Sequence, residues 1–138
     1  MGKGKAAPGT WVERDMFESS AFLSLKGFAP QLLIFFLSKR RIEMVGPKGK
    51  QKRTCVNCDN LCVTYVELEK LGVSRPRITK GLDDLLAKGF LNQIHAGGAY
   101  RKDKSIYALS GKWKLWTPGA VFGKRVRDVV RRGYQGGK

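Results

Sequence analysis

The sequence predicts a mainly α-helical α+β domain that carries a small β-hairpin. The first observation is an almost wholly apolar stretch at residues 28–39, which is typical of a buried helix. The second is a pair of helical segments, 64–72 and 74–88, joined by a short turn that contains glycine. The third is two short apolar runs after Gly89 that flank a basic, turn-prone segment, as in a hairpin. A length of 138 residues with 42% hydrophobic residues fits one compact domain with tails.

The chain divides into three parts. Residues 1–10 are rich in Gly and Lys and are predicted to be a flexible basic tail. Residues 11–116 are expected to form the domain, and residues 117–138 a basic C-terminal helix or tail. Within the domain, residues 40–60 form a basic insertion, with a strand-like piece at 41–45 followed by an exposed loop that glycine and proline interrupt.

The helix at 64–72 has a clear beginning and end. Thr64 and Glu67 have the spacing of a capping box, in which each side chain accepts a hydrogen bond from the other residue's backbone N–H. Leu68 and Leu71 are expected to face the core, and Gly72 stands where a left-handed residue ends a helix.

The following helix, 74–88, has two different faces. Ser74 is a suitable N-cap residue and Pro76 lies in the first turn. Because side chains three or four positions apart share a face, the core side consists of Ile78, Leu82, Leu85 and Leu86. The exposed side is basic in its first half, with Arg75, Arg77 and Lys80 flanked by Thr79, and acidic in its second half, with Asp83 and Asp84. Either these acids point away from a polyanion, or one accepts a hydrogen bond from a cytosine amino group.

The net charge points to polyanionic partners. Lys and Arg number 27 against 11 Asp and Glu, a formal charge of +16. Nucleic acid is the leading partner and an anionic membrane surface the second. The longest apolar run, at 32–37, is far shorter than the ~20 residues of a membrane-spanning helix, and the N-terminal segment lacks the apolar stretch of a secretory signal. We therefore expect a cytoplasmic protein without a membrane partner.

About two thirds of the chain resembles the winged helix-turn-helix domain of bacterial and archaeal regulators and of plasmid or phage replication proteins. The resemblance lies in Thr64-Tyr-Val-Glu-Leu-Glu-Lys-Leu-Gly-Val-Ser74, in 78–82, in Leu85-Leu-Ala-Lys-Gly-Phe-Leu91 and in Tyr107-Ala-Leu109, with 28–39 as the first helix. The insertion and the basic C-terminal segment depart from this pattern.

The resemblance implies a DNA-binding surface with two parts. In such domains the N-terminal half of the recognition helix meets base edges, and the wing contacts the neighbouring groove or backbone. The implied DNA-binding residues are Ser74, Arg75, Pro76, Arg77, Thr79 and Lys80 on the helix, and Tyr100, Arg101, Lys102 and Lys104 on the wing.

Three cysteines, Cys55, Cys58 and Cys62, lie within eight positions. This number and spacing suit reduced thiols or a metal better than a secreted disulfide scaffold. Zinc is possible, but a structural zinc site needs four ligands, and His95 is the one histidine that could complete it. Cys62 is alternatively a buried strand residue. No other cofactor is expected.

No catalytic pattern is evident, because the single histidine has no evident partner and no phosphate-binding glycine loop is present. The leading hypothesis is a duplex-DNA-binding protein that acts as a transcriptional regulator or as a replication accessory of a mobile element. The alternatives are an RNA- or ribosome-associated protein, in which aromatic residues stack on unpaired bases, and an interaction module for acidic protein partners. A homodimer is compatible with all three.

Overall fold

The structure is a computed structural model that describes residues 9–97 and 104–125. Five helices occur there: α1 (Arg14–Phe17), α2 (Ser20–Leu23), α3 (Ala29–Ser38), α4 (Tyr65–Glu69) and α5 (Arg75–Ala87). Four strands form two antiparallel hairpins, β1 (Ile42–Val45) with β2 (Lys52–Cys55), and β3 (Leu91–His95) with β4 (Ile106–Leu109). A 3-10 helix at Lys112–Leu115 follows. The predicted α+β class is confirmed.

Helix α3 lies at the centre of the core. Pro30 occupies its first turn, and Leu32, Leu33 and Phe36 are completely buried. Helix α5 packs across it, and a β-carbon at the buried Gly81 would lie 3.0 Å from the side chain of Leu32. The small residue therefore allows the two helices to approach closely. The predicted core face of α5 is confirmed, because Ile78, Leu82, Leu85 and Leu86 are all buried.

An aromatic stack closes the core at the C-terminal end of α5. The ring of Phe90 lies parallel to Trp113, with centroids 5.8 Å apart, and meets the edge of Phe22 at 6.2 Å. Residues from α2, from the chain after α5 and from the 3-10 helix thus share one cluster. Offset and edge-to-face contacts of this kind add stability beyond the apolar area that they bury.

The hairpin of β3 and β4 is extended by one further residue. Leu61 exchanges two backbone hydrogen bonds of 2.9 Å with Tyr107 on β4, so the chain before α4 lies antiparallel beside this hairpin. A bulge interrupts the register between Gln93 and His95. Towards the tip, the backbone N–H of Gly97 donates to the hydroxyl of Ser105 over 2.9 Å. The sheet thereby covers the core on the side of Phe36, whose ring contacts that of Tyr107 at 5.4 Å.

The basic insertion differs from the prediction. Only its first piece was predicted as a strand, whereas the structure pairs Ile42 with Cys55 and Val45 with Lys52 in a second hairpin. Gly46, at a φ of 128°, leaves no room for a side chain because a β-carbon would lie 2.9 Å from the carbonyl oxygen of Lys50. The turn that looked like an exposed loop therefore returns the chain as a paired strand.

One other expectation needs correction. Leu71, predicted to face the core, is 65% exposed, because α4 ends at Glu69 and the turn that follows points outward. The basic C-terminal helix or tail expected at 117–138 stays a prediction, since residues 117–125 contain no helix and residues 126–138 lie outside the described part. No helix among the described residues is long and apolar enough to cross a membrane.

Replacement of Gly89 by alanine tests the junction that closes α5. Gly89 has a φ of +87°, and a β-carbon would lie 2.8 Å from the backbone of Lys112 and Trp113. Backbone strain and overpacking together should lower the free energy of unfolding by about 2–5 kcal/mol. The matched control is Gly72→Ala, where φ is +92° but no atom lies within 4 Å; there we expect a loss of only ~1–2 kcal/mol. Urea denaturation measures both, and equal losses would contradict the close contact.

Candidate nucleic-acid interface

Helix α5 is presented to solvent by the turn that precedes it. The predicted capping box of α4 is confirmed: Thr64 Oγ1 accepts from the N–H of Glu67, and Glu67 Oε1 accepts from the N–H of Thr64. Val73 is buried and its N–H donates to the carbonyl of Leu68, which fixes the turn against α4. Ser74 occupies the N-cap position of α5, although its side chain makes no capping hydrogen bond. The first turn of α5 consequently projects outward.

Arg75 and Thr79, two of the predicted contact residues, are already engaged within the protein. Arg75 Nε donates to Glu69 Oε2 over 3.1 Å, and its guanidinium lies 4.8 Å from the centre of the Tyr65 ring. Thr79 is half-buried, and its hydroxyl donates to the carbonyl of Arg75. Because the Arg75 pair is exposed, it contributes little stability, and the arginine can exchange Glu69 for another anion at small cost.

Arg77 and Lys80 lie one helical turn apart on the exposed face of α5. The guanidinium of Arg77 lies 5.4 Å from the centre of the Phe28 ring, and the ammonium of Lys80 has no charged or hydrogen-bonded partner among the described residues. Both line an open groove of about 470 Å³ between α5 and the turn that leads into α3. The lining is largely apolar, with Phe28 and Ala87, and it also includes Lys26 and the two acids Asp83 and Asp84.

The two acids of α5 hold neighbouring segments of the chain. Asp84 Oδ2 accepts from the backbone N–H of Lys26 over 2.9 Å, and Asp84 Oδ1 lies 3.0 Å from the ammonium of Lys88. Asp83 Oδ1 accepts from Arg125 Nε over 3.0 Å. Both carboxylates therefore have partners within the protein, but both also line the groove that Arg77 and Lys80 line. The two predicted alternatives for these acids stay open.

The segment at residues 120–125 returns along the second half of α5. The N–H of Phe122 donates to the carbonyl of Ala87 over 2.8 Å, and Arg125 then reaches Asp83 one turn earlier in the helix. Burial disfavours the charged guanidinium, but the hydrogen bond and the charge of Asp83 outweigh it and raise the pKa of Arg125. Sequence analysis did not identify this contact, since no local pattern links residues 42 positions apart.

Of the four predicted wing residues, one is described by the structure and three are not. Lys104 is described and exposed, at the start of the return to β4. Tyr100, Arg101 and Lys102 lie outside the described residues. The wing contacts therefore stay predictions.

The cysteines differ in their state. Reduced thiols or a metal were expected, but Cys55 and Cys58 form a disulfide, because the turn after β2 brings their α-carbons to 5.7 Å, within disulfide range. Cys62 is free and half-buried. Burial raises the pKa of the Cys62 thiol, although the charge of Lys104 opposes this effect. The described residues contain no group of three or more potential ligands placed to hold a metal ion. Zinc at these cysteines stays an untested hypothesis, and His95 lies at the end of β3.

Comparison with protein-family models, with curated proteins and with solved structures finds no match to this chain.

Counting thiols and metal in the purified protein separates the disulfide from the zinc hypothesis. The structure leads us to expect one free thiol per denatured, unreduced chain and three after reduction. Metal analysis of the native protein without chelator should find far less than one equivalent of zinc. One equivalent of zinc with three thiols in the unreduced chain would overturn the disulfide.

Replacement of Glu67 by glutamine tests its ion pair with Lys39. Burial disfavours the charged carboxylate, but hydrogen bonds from Lys39 and Thr64 outweigh it and lower the pKa of Glu67. A lowered pKa stabilises the folded state above the ordinary carboxyl range, and this stability is lost as the pH falls through the folded pKa. Glu67→Gln, which can still close the capping box, should lower the free energy of unfolding by about 0.2–1 kcal/mol at pH 7. A difference from wild type that persists unchanged at pH 3 would contradict this account.

Proposed function

We propose that this chain binds duplex DNA as a winged helix-turn-helix protein, with α5 as the recognition helix and the hairpin of β3 and β4 as the wing. One observation carries the proposal. The exposed first half of α5 presents Arg77 and Lys80 beside an open groove, while the acids of its second half are engaged with Lys26, Lys88 and Arg125. The two acids line the same groove, but their ion pairs with Lys88 and Arg125 offset their charge, so cations predominate in the first half of the helix, which in a recognition helix meets base edges.

The order of elements supports this assignment. A buried helix, α3, is followed by the hairpin of β1 and β2 and then by one paired residue at Leu61. Two helices around a short turn come next, and then a hairpin whose return strand pairs with Leu61. A helix of the width of α5 fits the major groove of B-DNA, where arginine can pair with both acceptors of guanine. The N-terminal N–H groups of α5 add a partial positive charge that favours a nearby phosphate.

The arrangement of the aromatic residues favours duplex DNA over unpaired RNA. Stacking on bases needs an exposed ring face. Trp113 is buried against Phe90, Tyr65 is covered by Arg75, and Trp116 lies 5.6 Å from the Lys88 ammonium while its indole N–H donates to Ala120. These three rings have partners inside the protein, whereas Tyr100 of the predicted wing lies outside the described residues. An RNA- or ribosome-associated role is therefore the second candidate, and better binding of structured RNA than of duplex DNA at equal salt would establish it instead.

The proposal includes a biological setting. A protein that reads a duplex site would act as a transcriptional regulator or as a replication accessory of a mobile element. Many winged helices read two half-sites as dimers, so the recovered target sequence is informative. Selection of bound duplexes from a random pool should return one preferred site, and a palindromic site would support a homodimer.

Alanine replacement of Arg77 and Lys80 tests the recognition helix. Each base contact is worth about 1–3 kcal/mol, so the double variant should weaken binding to the selected site by roughly 2–6 kcal/mol. Fluorescence anisotropy on the selected duplex and on an unrelated duplex measures the effect, and the loss should be larger on the selected site. Both side chains are exposed, so the fold should be kept.

The matched control removes the same charge from another part of the surface. Lys112 and Lys114 belong to the 3-10 helix and are exposed, so Lys112→Ala/Lys114→Ala changes the net charge equally. We expect this control to weaken binding to both duplexes by the same modest amount. If Arg77→Ala/Lys80→Ala binds the selected site as tightly as the control does, α5 is not the recognition helix.

A further inference from the structure

The hairpin of β1 and β2, residues 42–55, projects from the domain and is here named the basic arm. Only Ile42 and Cys55, at its base, are half-buried; every other residue of the arm is exposed. The ammonium groups of Lys48, Lys50 and Lys52 have no hydrogen-bonded or ion-pair partner within the described residues. An isolated two-stranded hairpin is marginally stable in water, so a projecting one needs support at its base or a partner along its length.

The base of the arm is firmly held. The side chain of Asn57 accepts from the N–H of Arg41 over 2.6 Å and donates to the carbonyl of Lys39 over 2.9 Å. The N–H of Val56 donates to the carbonyl of Arg41. At its start, Arg40 lies 4.4 Å from the centre of the Trp11 ring, which Arg53 approaches from the arm at 5.0 Å.

The arm is also joined to the proposed wing. The disulfide links Cys55, the last residue of β2, to Cys58. The carbonyl of Cys58 accepts from the N–H of Leu109, the last residue of β4, over 2.8 Å. A covalent bond followed by a backbone hydrogen bond therefore ties the two hairpins together. These links restrict the motion of one hairpin relative to the other, which would reduce the entropy lost when both contact one ligand.

The outer half of the arm combines apolar and cationic side chains. Across the ladder Met44 pairs with Arg53, whose guanidinium also approaches Trp11, and Val45 pairs with Lys52. Each face thus carries one apolar residue beside one cation. Met44 is 55% and Val45 48% exposed. Polar residues would be expected at these positions if the arm only faced solvent. Paired apolar and cationic groups instead suit contact with a surface that has apolar edges and flanking phosphates.

We infer that the basic arm is a second DNA-binding element that inserts into the major groove beside the site of α5. The inference rests on the proposed function. At about 3.4 Å per residue, the tip of the arm stands ~14–17 Å from its base, while the major groove is about 8.5 Å deep and about 12 Å wide and accepts a two-stranded ribbon. The lysines would meet phosphates, and Met44 and Val45 would meet the apolar base edges, of which the thymine methyl is the most prominent.

The charge of the arm is tested by Lys50→Ala/Lys52→Ala. Each phosphate contact contributes about 0.9 to the slope of log affinity against log salt on B-DNA, so this variant should lower the slope by about 1.8. The slope is obtained from the affinity for duplex DNA measured at several salt concentrations between about 50 and 200 mM, a range over which affinities of this kind change strongly. Lys112→Ala/Lys114→Ala, with the same net charge, should leave the slope nearly unchanged. An equal reduction in both variants would show an effect of net charge alone and would overturn the inference.

The apolar contact is tested at constant charge. Met44→Ser/Val45→Ser should weaken duplex binding by about threefold to tenfold at every salt concentration, because apolar area is no longer buried, without changing the slope. Leu23→Ser/Leu115→Ser removes two exposed apolar side chains from α2 and the 3-10 helix and should have no effect. Unchanged affinity of the Met44/Val45 variant would exclude insertion of the tip into the groove.

The outcomes distinguish this inference from the proposed function. If wild type does not bind duplex DNA, both fail. If Arg77→Ala/Lys80→Ala loses the selected site while Lys50→Ala/Lys52→Ala behaves like its control, α5 is the recognition helix and the arm is not a DNA-binding element. If Lys50→Ala/Lys52→Ala changes the slope of log affinity against log salt for structured RNA but not for duplex DNA, the arm binds RNA and the inference fails.

Discussion

The packing of α5 across α3 is the contact on which the other features depend. Helix α3 is buried on most sides, and Gly81 lets α5 approach it so closely that Leu32 and Ala29 occupy the space of a side chain. This contact directs the apolar face of α5 inward and therefore its charged face outward. It also sets the distance from α5 to the turn before α3, which forms the other wall of the groove with Lys26 and Phe28. The packing of α5 on α3 thus determines both the core of the fold and the position of the candidate surface.

The few acids are used to position segments in a strongly cationic chain. With 27 basic residues and 11 acids, most cations cannot find an acidic partner. Asp83, Asp84 and Glu67 each hold a neighbouring part of the chain against α4 or α5. The cations that are left without partners among the described residues, such as Lys80 and the lysines of the basic arm, lie on outward surfaces. Their mutual repulsion is relieved when a polyanion binds.

Features that depend on local sequence signals could be predicted from the sequence. The capping box at Thr64, the breaks at Gly72 and Gly89 and the periodicity of α5 all depend on residues within a few positions of one another, and the structure has each of them. Contacts between distant residues were not accessible in this way. The pairing of β2 with β1 depends on the backbone at Gly46, and the engagement of Asp83 depends on Arg125. Charge patterns predicted which side chains are cationic, but only the packing shows which of them are free.

The basic arm has two unpaired outer edges in the described structure, because β1 and β2 pair only with each other. An exposed strand edge is a template for the same strand of another molecule, and lysines along a ribbon are a common safeguard because they repel a second copy. High salt screens that repulsion, since the Debye length falls from ~10 Å at 0.1 M to about 3 Å at 1 M. The residues that suit the arm to a polyanion are therefore also those that keep the chains apart, and concentrated salt weakens both effects together.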